Sequence, residues 1–104
     1  MERVYNKLVR DKIPEIIRRD GKECTITMLD DDEFLKELNK KLAEEVNEYT
    51  ETESIEEIAD ILEVINGILK AKGVSFEEVN KIRLEKKWKR GGFDEKIKLV
   101  SVKE

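Results

Sequence analysis

Two apolar seams of helical length, separated by a turn of about three residues, constrain this chain more than any other feature. In the first, Leu35, Leu38, Leu42, Glu45 and Tyr49 follow one another at steps of three, four, three and four. In the second, Ile55, Ile58, Leu62, Ile65 and Leu69 do the same. That spacing is one face of an α-helix. Asp30 with Glu33 and Ser54 with Glu57 have the capping-box spacing that starts a helix. The first helix is thus expected to reach about Thr50, and the second about Lys72, where Gly73 stops it. With only Glu51 to Glu53 between them, the two must run antiparallel as an αα-hairpin.

The rest of the chain adds shorter pieces. Arg10 to Arg19 reads as a short helix with Pro14 in its first turn and Gly21 as its stop. Ser75 with Glu78 starts a last helix that ends at Gly91-Gly92. The β-leaning runs Cys24 to Met28 and Lys96 to Val102 are expected to pair as a minor hairpin or ribbon. The fold class expected is therefore all-α: a small antiparallel bundle of about four helices in a single domain spanning residues 1–104. The second helix of the hairpin carries a further stripe, Ile61, Val64 and Ile68. A helix with two apolar stripes is buried on two sides. In a chain of 104 residues the second side is expected to meet another subunit, giving a homodimer or homotetramer that shares helices across its interface.

Composition removes several chemistries. There is no histidine, so no His-based triad, metal site or general base exists; the lone Cys24 can form no internal disulfide and has no His partner to activate it. Acid–base work falls to carboxylates, Lys, Tyr or a metal-bound water. No apolar N-terminal stretch or membrane span is legible, so the cytoplasm is the expected location. The net charge of −4 hides a segregation. Every charged residue from Glu44 to Glu63 is acidic, whereas Lys81 to Arg90 holds six bases against one acid. An acidic middle and a basic end suit a ligand carrying both metal and phosphate, although solvated faces would also produce such a pattern.

The hairpin gathers four of the acids. Glu45 and Glu48 lie near the end of its first helix, Glu57 and Asp60 near the start of its second. Each pair is spaced i, i+3 and so shares a face. At about 4 Å and an effective dielectric of about 20, each like-charged pair costs on the order of 4 kcal/mol, so a cation or protons must intervene. All-oxygen ligands favour magnesium first and manganese second. Taken singly, each acid has a plainer role. Glu57 can close the box with Ser54, Asp60 can favour the helix N-terminus, and Glu48 can be solvated. Glu45 is hardest to explain away, because a charge on an apolar seam is costly unless paired.

The stretches KLAEEVNEY and EEIADILEV resemble the Glu-Glu-x-x-Glu and Glu-x-x-Asp signature of the MazG-like, all-α nucleoside triphosphate pyrophosphohydrolases, a superfamily that includes phosphoribosyl-ATP pyrophosphohydrolase. YNKLVRDKIPEII and KRGGFDEKIKL resemble the flanks of one branch of it, so the likeness runs from Tyr5 to about Leu99. The resemblance implies that Glu45, Glu48, Glu57 and Asp60 bind magnesium. It also implies cleavage of a nucleotide substrate between its α- and β-phosphates, giving a nucleoside monophosphate and pyrophosphate. The gap between the motifs is short, as in minimal members, and leaves base specificity open.

In such a reaction magnesium would neutralise phosphate oxygens and acidify a bound water. Glu45 is the candidate base, since a seam carboxylate is the most desolvated, with Glu48 close behind. Lys7, Arg10 and Lys12, or Lys86, Lys89 and Arg90, are candidates to hold phosphate. The likeness of KRGGF favours Lys89, Arg90 and Phe93. Two readings compete: a nucleic-acid-binding module using KKWKR, which the net acidity opposes, and a non-catalytic helical regulatory module.

Overall fold

The computed structural model describes residues 1–103 and consists of four helices: α1 (Ile13–Arg19), α2 (Asp31–Thr52), α3 (Ile55–Lys72) and α4 (Phe76–Arg90). They fall into two compact units, Met1–Gly73 and the stretch from Val74 onward. No helix among the described residues is long and apolar enough to cross a membrane.

Side-chain caps set three of the helix starts. Asp30 accepts from the Glu33 amide at 2.8 Å, Ser54 from Glu57 at 3.4 Å, and Ser75 from Glu78 at 3.1 Å. Each satisfies an amide that the helix itself leaves unpaired. α1 starts three residues later than the sequence pattern suggests. Pro14 has no N–H with which to bond the Arg10 carbonyl, so the helix cannot run through that position. Instead the Ile13 amide donates to the Arg10 carbonyl at 3.0 Å, closing a turn over Arg10 to Lys12.

In the first unit α2 and α3 pack on each other. Their connection is tighter than expected, because α2 runs on to Thr52 and leaves only Glu53 and Ser54 outside a helix. Glu53 makes the reversal by adopting a left-handed backbone, φ 55°, while its amide donates to the Tyr49 carbonyl at 2.6 Å. The core between the helices is thin: Leu38 and Val64 are its buried apolar residues. At Gly67 an added Cβ would lie 3.0 Å from Leu38 Cδ2, so the bare backbone there allows close approach. A mid-helix glycine, which costs about 1 kcal/mol relative to alanine, is thereby explained.

Two expectations need correction. Among the described residues there is no strand: Cys24 to Met28 and Lys96 to Val102 are irregular, with Ile26, Met28, Ile97 and Leu99 exposed. A lone two-stranded ribbon is marginal in water, and these runs have no sheet or helix to cover them. The stripes of α3 are also exchanged. Val64 is buried and Gly67 faces Leu38, so the stripe of Ile61, Val64 and Ile68 is the one turned toward α2. The stripe expected to lie inside carries Ile55 and Leu62, which are 81% and 56% exposed.

In the second unit, α4 contains no buried residue, and Phe76, Ile82, Leu84 and Trp88 stand exposed along it.

Candidate metal centre

The hairpin brings acids from both helices together at its closed end. One carboxylate oxygen from each of Glu45, Glu57 and Asp60 lies within 4.8 Å of the others. Glu45 is 7% exposed, which makes it the buried charged residue among those described. Its seam position turns it into the interface between α2 and α3, as the 3.6-residue period requires. Oε1 meets Lys41 Nζ one turn earlier on α2, at 3.7 Å, a long contact. Oε2 is buried with no hydrogen-bond partner, and the same is true of Glu57 Oε2.

The electrostatics follow from this crowding. Burial pushes the Glu45 carboxyl above the usual glutamate range. The charge and hydrogen bonding of Glu48 push it further, Asp60 adds to the effect, and Lys41 opposes it. Glu57 is raised as well, first by its loss of water and then by Glu48 and Asp60. Glu48 thus belongs to the group, acting on both neighbours. Two carboxylates can share a hydrogen bond only if one carries a proton. With all of them ionised, the buried Oε2 atoms face oxygens and no donor. That is a site short of positive charge.

The residues present suit a hard cation. Three carboxylate oxygens within 4.8 Å of one another offer the all-oxygen donor set that magnesium takes, and they would have to draw together to share one ion. Manganese takes the same donors.

Two of the sequence-selected cations pair with acids of the hairpin, one of them at this site. Arg10, in the turn before α1, places Nη2 2.8 Å from Asp60 Oδ1. Lys7 Nζ lies 3.2 Å from Glu44 Oε1, on the same helix as Glu45. The N-terminal segment therefore reaches both helices of the hairpin. Lys12 instead takes the N-cap position of α1. Lys86, Lys89 and Arg90 belong to the second unit, exposed along α4, with Phe93 exposed beyond its end. Lys89 and Trp88 line a shallow groove on α4 together with Leu84.

Sequence reasoning missed Lys41, although its i, i+4 spacing to Glu45 was legible. The pairing of Glu44 with Lys7 spans 37 positions, and no local pattern encodes such a contact.

No family model matches the chain, and no solved structure matches it. A stretch of 42 residues is 52% identical to an uncharacterized protein of Mycolicibacterium smegmatis, covering 40% of this chain. The matched stretch spans 43% of that relative's length.

Proposed function

We propose that the chain is a magnesium-dependent nucleotide pyrophosphohydrolase of the MazG-like kind, acting in the cytoplasm. It would cleave the α–β phosphoanhydride of a nucleoside triphosphate to a nucleoside monophosphate and pyrophosphate, with non-canonical nucleotides as candidate substrates. The observation that carries this reading is Glu45: a nine-tenths buried carboxylate with an unpartnered oxygen, facing Glu57 and Asp60. Such an arrangement is costly without a cation, and the paired acid motifs resemble those that bind magnesium in that superfamily.

Glu45, Glu48, Glu57 and Asp60 would hold the ion, with manganese as a substitute. Bound there, it would supply charge neutralisation for the phosphate oxygens and a more acidic water. The chain's own groups do the rest. Glu45 Oε2, or Glu48 beside it, would take the proton of the attacking water. Arg10 already neutralises Asp60, and its guanidinium can turn to a phosphate drawn to the same acids. The likeness of KRGGF, rather than any placement beside the acids, makes Lys89, Arg90 and Phe93, with Lys86, candidates to bind the substrate.

The test is pyrophosphate release over a panel of canonical and modified nucleoside triphosphates, with magnesium, manganese or chelator. Metal-dependent release from at least one of them is expected. No release from any, with the folded protein present, overturns the reading. One observation favours a second reading. Trp88 is 89% exposed among Lys86, Lys87, Lys89 and Arg90, as a stacking platform for single-stranded nucleic acid would be. Salt-dependent binding of an oligonucleotide without turnover would favour that alternative.

A further inference from the structure

Every charged residue from Glu44 to Glu63 is acidic, so the positive charge around the closed end of the hairpin has to come from outside that stretch. Lys41, one turn before Glu45 on α2, supplies some of it. The rest comes from the segment ahead of α1. Asn6 turns this segment with a left-handed backbone, φ 45°, which asparagine tolerates better than most residues. Leu8 beyond it is half-buried, and the bond from the Ile13 amide to the Arg10 carbonyl closes the turn into α1. Between Asn6 and Ile13, Lys7 reaches Glu44 on α2 and Arg10 reaches Asp60 on α3. The segment is a strap tied to both helices that carry the acids.

The strap's two cations take outer oxygens. The side chains of both its ion pairs are between 38% and 56% exposed. Inside, Glu45 is buried, and its Oε2 and that of Glu57 have no partner. Arg10 therefore leaves the interior short of positive charge and sits on a carboxylate that a metal ion would also use, since Asp60 gives an oxygen to the group formed with Glu45 and Glu57. A guanidinium 2.8 Å from Asp60 Oδ1 and a divalent cation on the same carboxylate repel each other, whichever oxygen the ion takes. An ion pair this exposed is weak, so Arg10 is the one to yield. Its planar fork of donors fits phosphate oxygens as well as it fits a carboxylate.

We infer that Arg10 alternates between two partners: it competes with the metal ion for Asp60, and once displaced it clamps the polyphosphate that follows the ion. The inference rests on the metal site proposed above and not on hydrolysis. The turn over Arg10 to Lys12 holds the backbone, so a displaced guanidinium stays on a short tether beside the acids. Phosphate oxygens drawn to the ion come to the carboxylate that Arg10 has left. A polyphosphate that keeps Arg10 off Asp60 also removes the ion's competitor. Ion and polyphosphate therefore assist each other through this one side chain, by the reciprocity that links any two coupled sites.

Two titrations of the full chain test this without recourse to activity: manganese alone, followed by electron paramagnetic resonance, then tripolyphosphate at saturating manganese, followed by calorimetry. Arg10→Gln is expected to bind manganese about two- to fivefold more tightly and tripolyphosphate about tenfold or more weakly. Arg10→Lys keeps the charge and should return both values toward wild type. Arg19→Gln removes an equal charge from the Glu15 pair on α1 and should change neither. The opposite signs are the signature, because an Arg10 that only braced the fold would weaken both ligands when replaced. Manganese binding that is unchanged or weaker in Arg10→Gln overturns the inference and leaves the metal site standing, and so does unchanged tripolyphosphate binding. Equal shifts in Arg19→Gln overturn it as an effect of net charge, and lost helicity in Arg10→Gln, seen by circular dichroism, overturns it by making Arg10 a brace. A wild-type protein that takes no manganese overturns the metal site as well.

Discussion

At Glu45 a buried carboxylate oxygen meets no donor, and three carboxylates, Glu48, Glu57 and Asp60, lie around it. Magnesium bound there should stabilise the native state by RT ln(1 + [L]/Kd), about 2.7 kcal/mol at a hundredfold excess over Kd. Glu48→Gln removes one charge and keeps the shape. It should abolish most turnover, shrink the magnesium-induced rise in Tm, and leave the metal-free protein at least as stable as before. Thermal melts in magnesium and in chelator, with a pyrophosphate assay alongside, check all three. Full activity and an unchanged melting shift in both Glu48→Gln and Asp60→Asn would sink the metal site. The pH dependence has an unusual sign. Glu45 and Glu57 are raised in the folded state, so above the usual glutamate range the native protein binds more protons than the unfolded chain. Stability then falls as pH rises through the raised values and is recovered as pH falls back. In chelator, Tm should hold or climb as pH is lowered from neutral toward the ordinary glutamate range, and magnesium should reverse the trend, because it competes with those protons. Melting curves across that range decide.

The elements show what a sequence can and cannot disclose. Helix starts were legible because each depends on a pair of residues three apart, such as Ser54 and Glu57. Glu45 was legible because a charge interrupting an apolar seam has no other ready explanation. The two stripes of α3 were confused because both are apolar, and only the close approach of Gly67 to Leu38 tells which one faces α2. The grip of Arg10 on Asp60 spans 50 positions and leaves no periodic trace. The turn at Glu53 was placed but not understood. A glutamate there holds a left-handed backbone and sets a negative charge at a helix C-terminus, both unfavourable. Glu53→Gly should therefore stabilise the protein by about 1 kcal/mol, or about 4–8 °C in Tm. Its magnesium response should be preserved, as melts of the two proteins will show. A drop in Tm would mean that Glu53 has a partner in the native assembly.

For the whole molecule, charge is divided between the units: acids on the hairpin, bases on α4. If α4 serves the substrate and not the fold, Lys89→Ala and Arg90→Ala should raise KM severalfold, leaving Tm and its magnesium shift unchanged. Steady-state kinetics beside melts will tell, and unchanged KM and kcat would make α4 a solvated face. The acid site has another property, which follows from the two-residue turn at Glu53 and Ser54. All four acids lie within one continuous stretch, from Glu45 to Asp60. Contacts so close in sequence form early, and a hairpin of low contact order is a natural folding nucleus. Repulsion among the acids is then felt in the transition state, not only in the finished protein. In stopped-flow refolding, magnesium and Glu48→Gln should each act on the folding arm of the chevron, speeding the forward rate more than they slow unfolding. The charge that equips this chain to hold a metal would then also set the pace at which it folds.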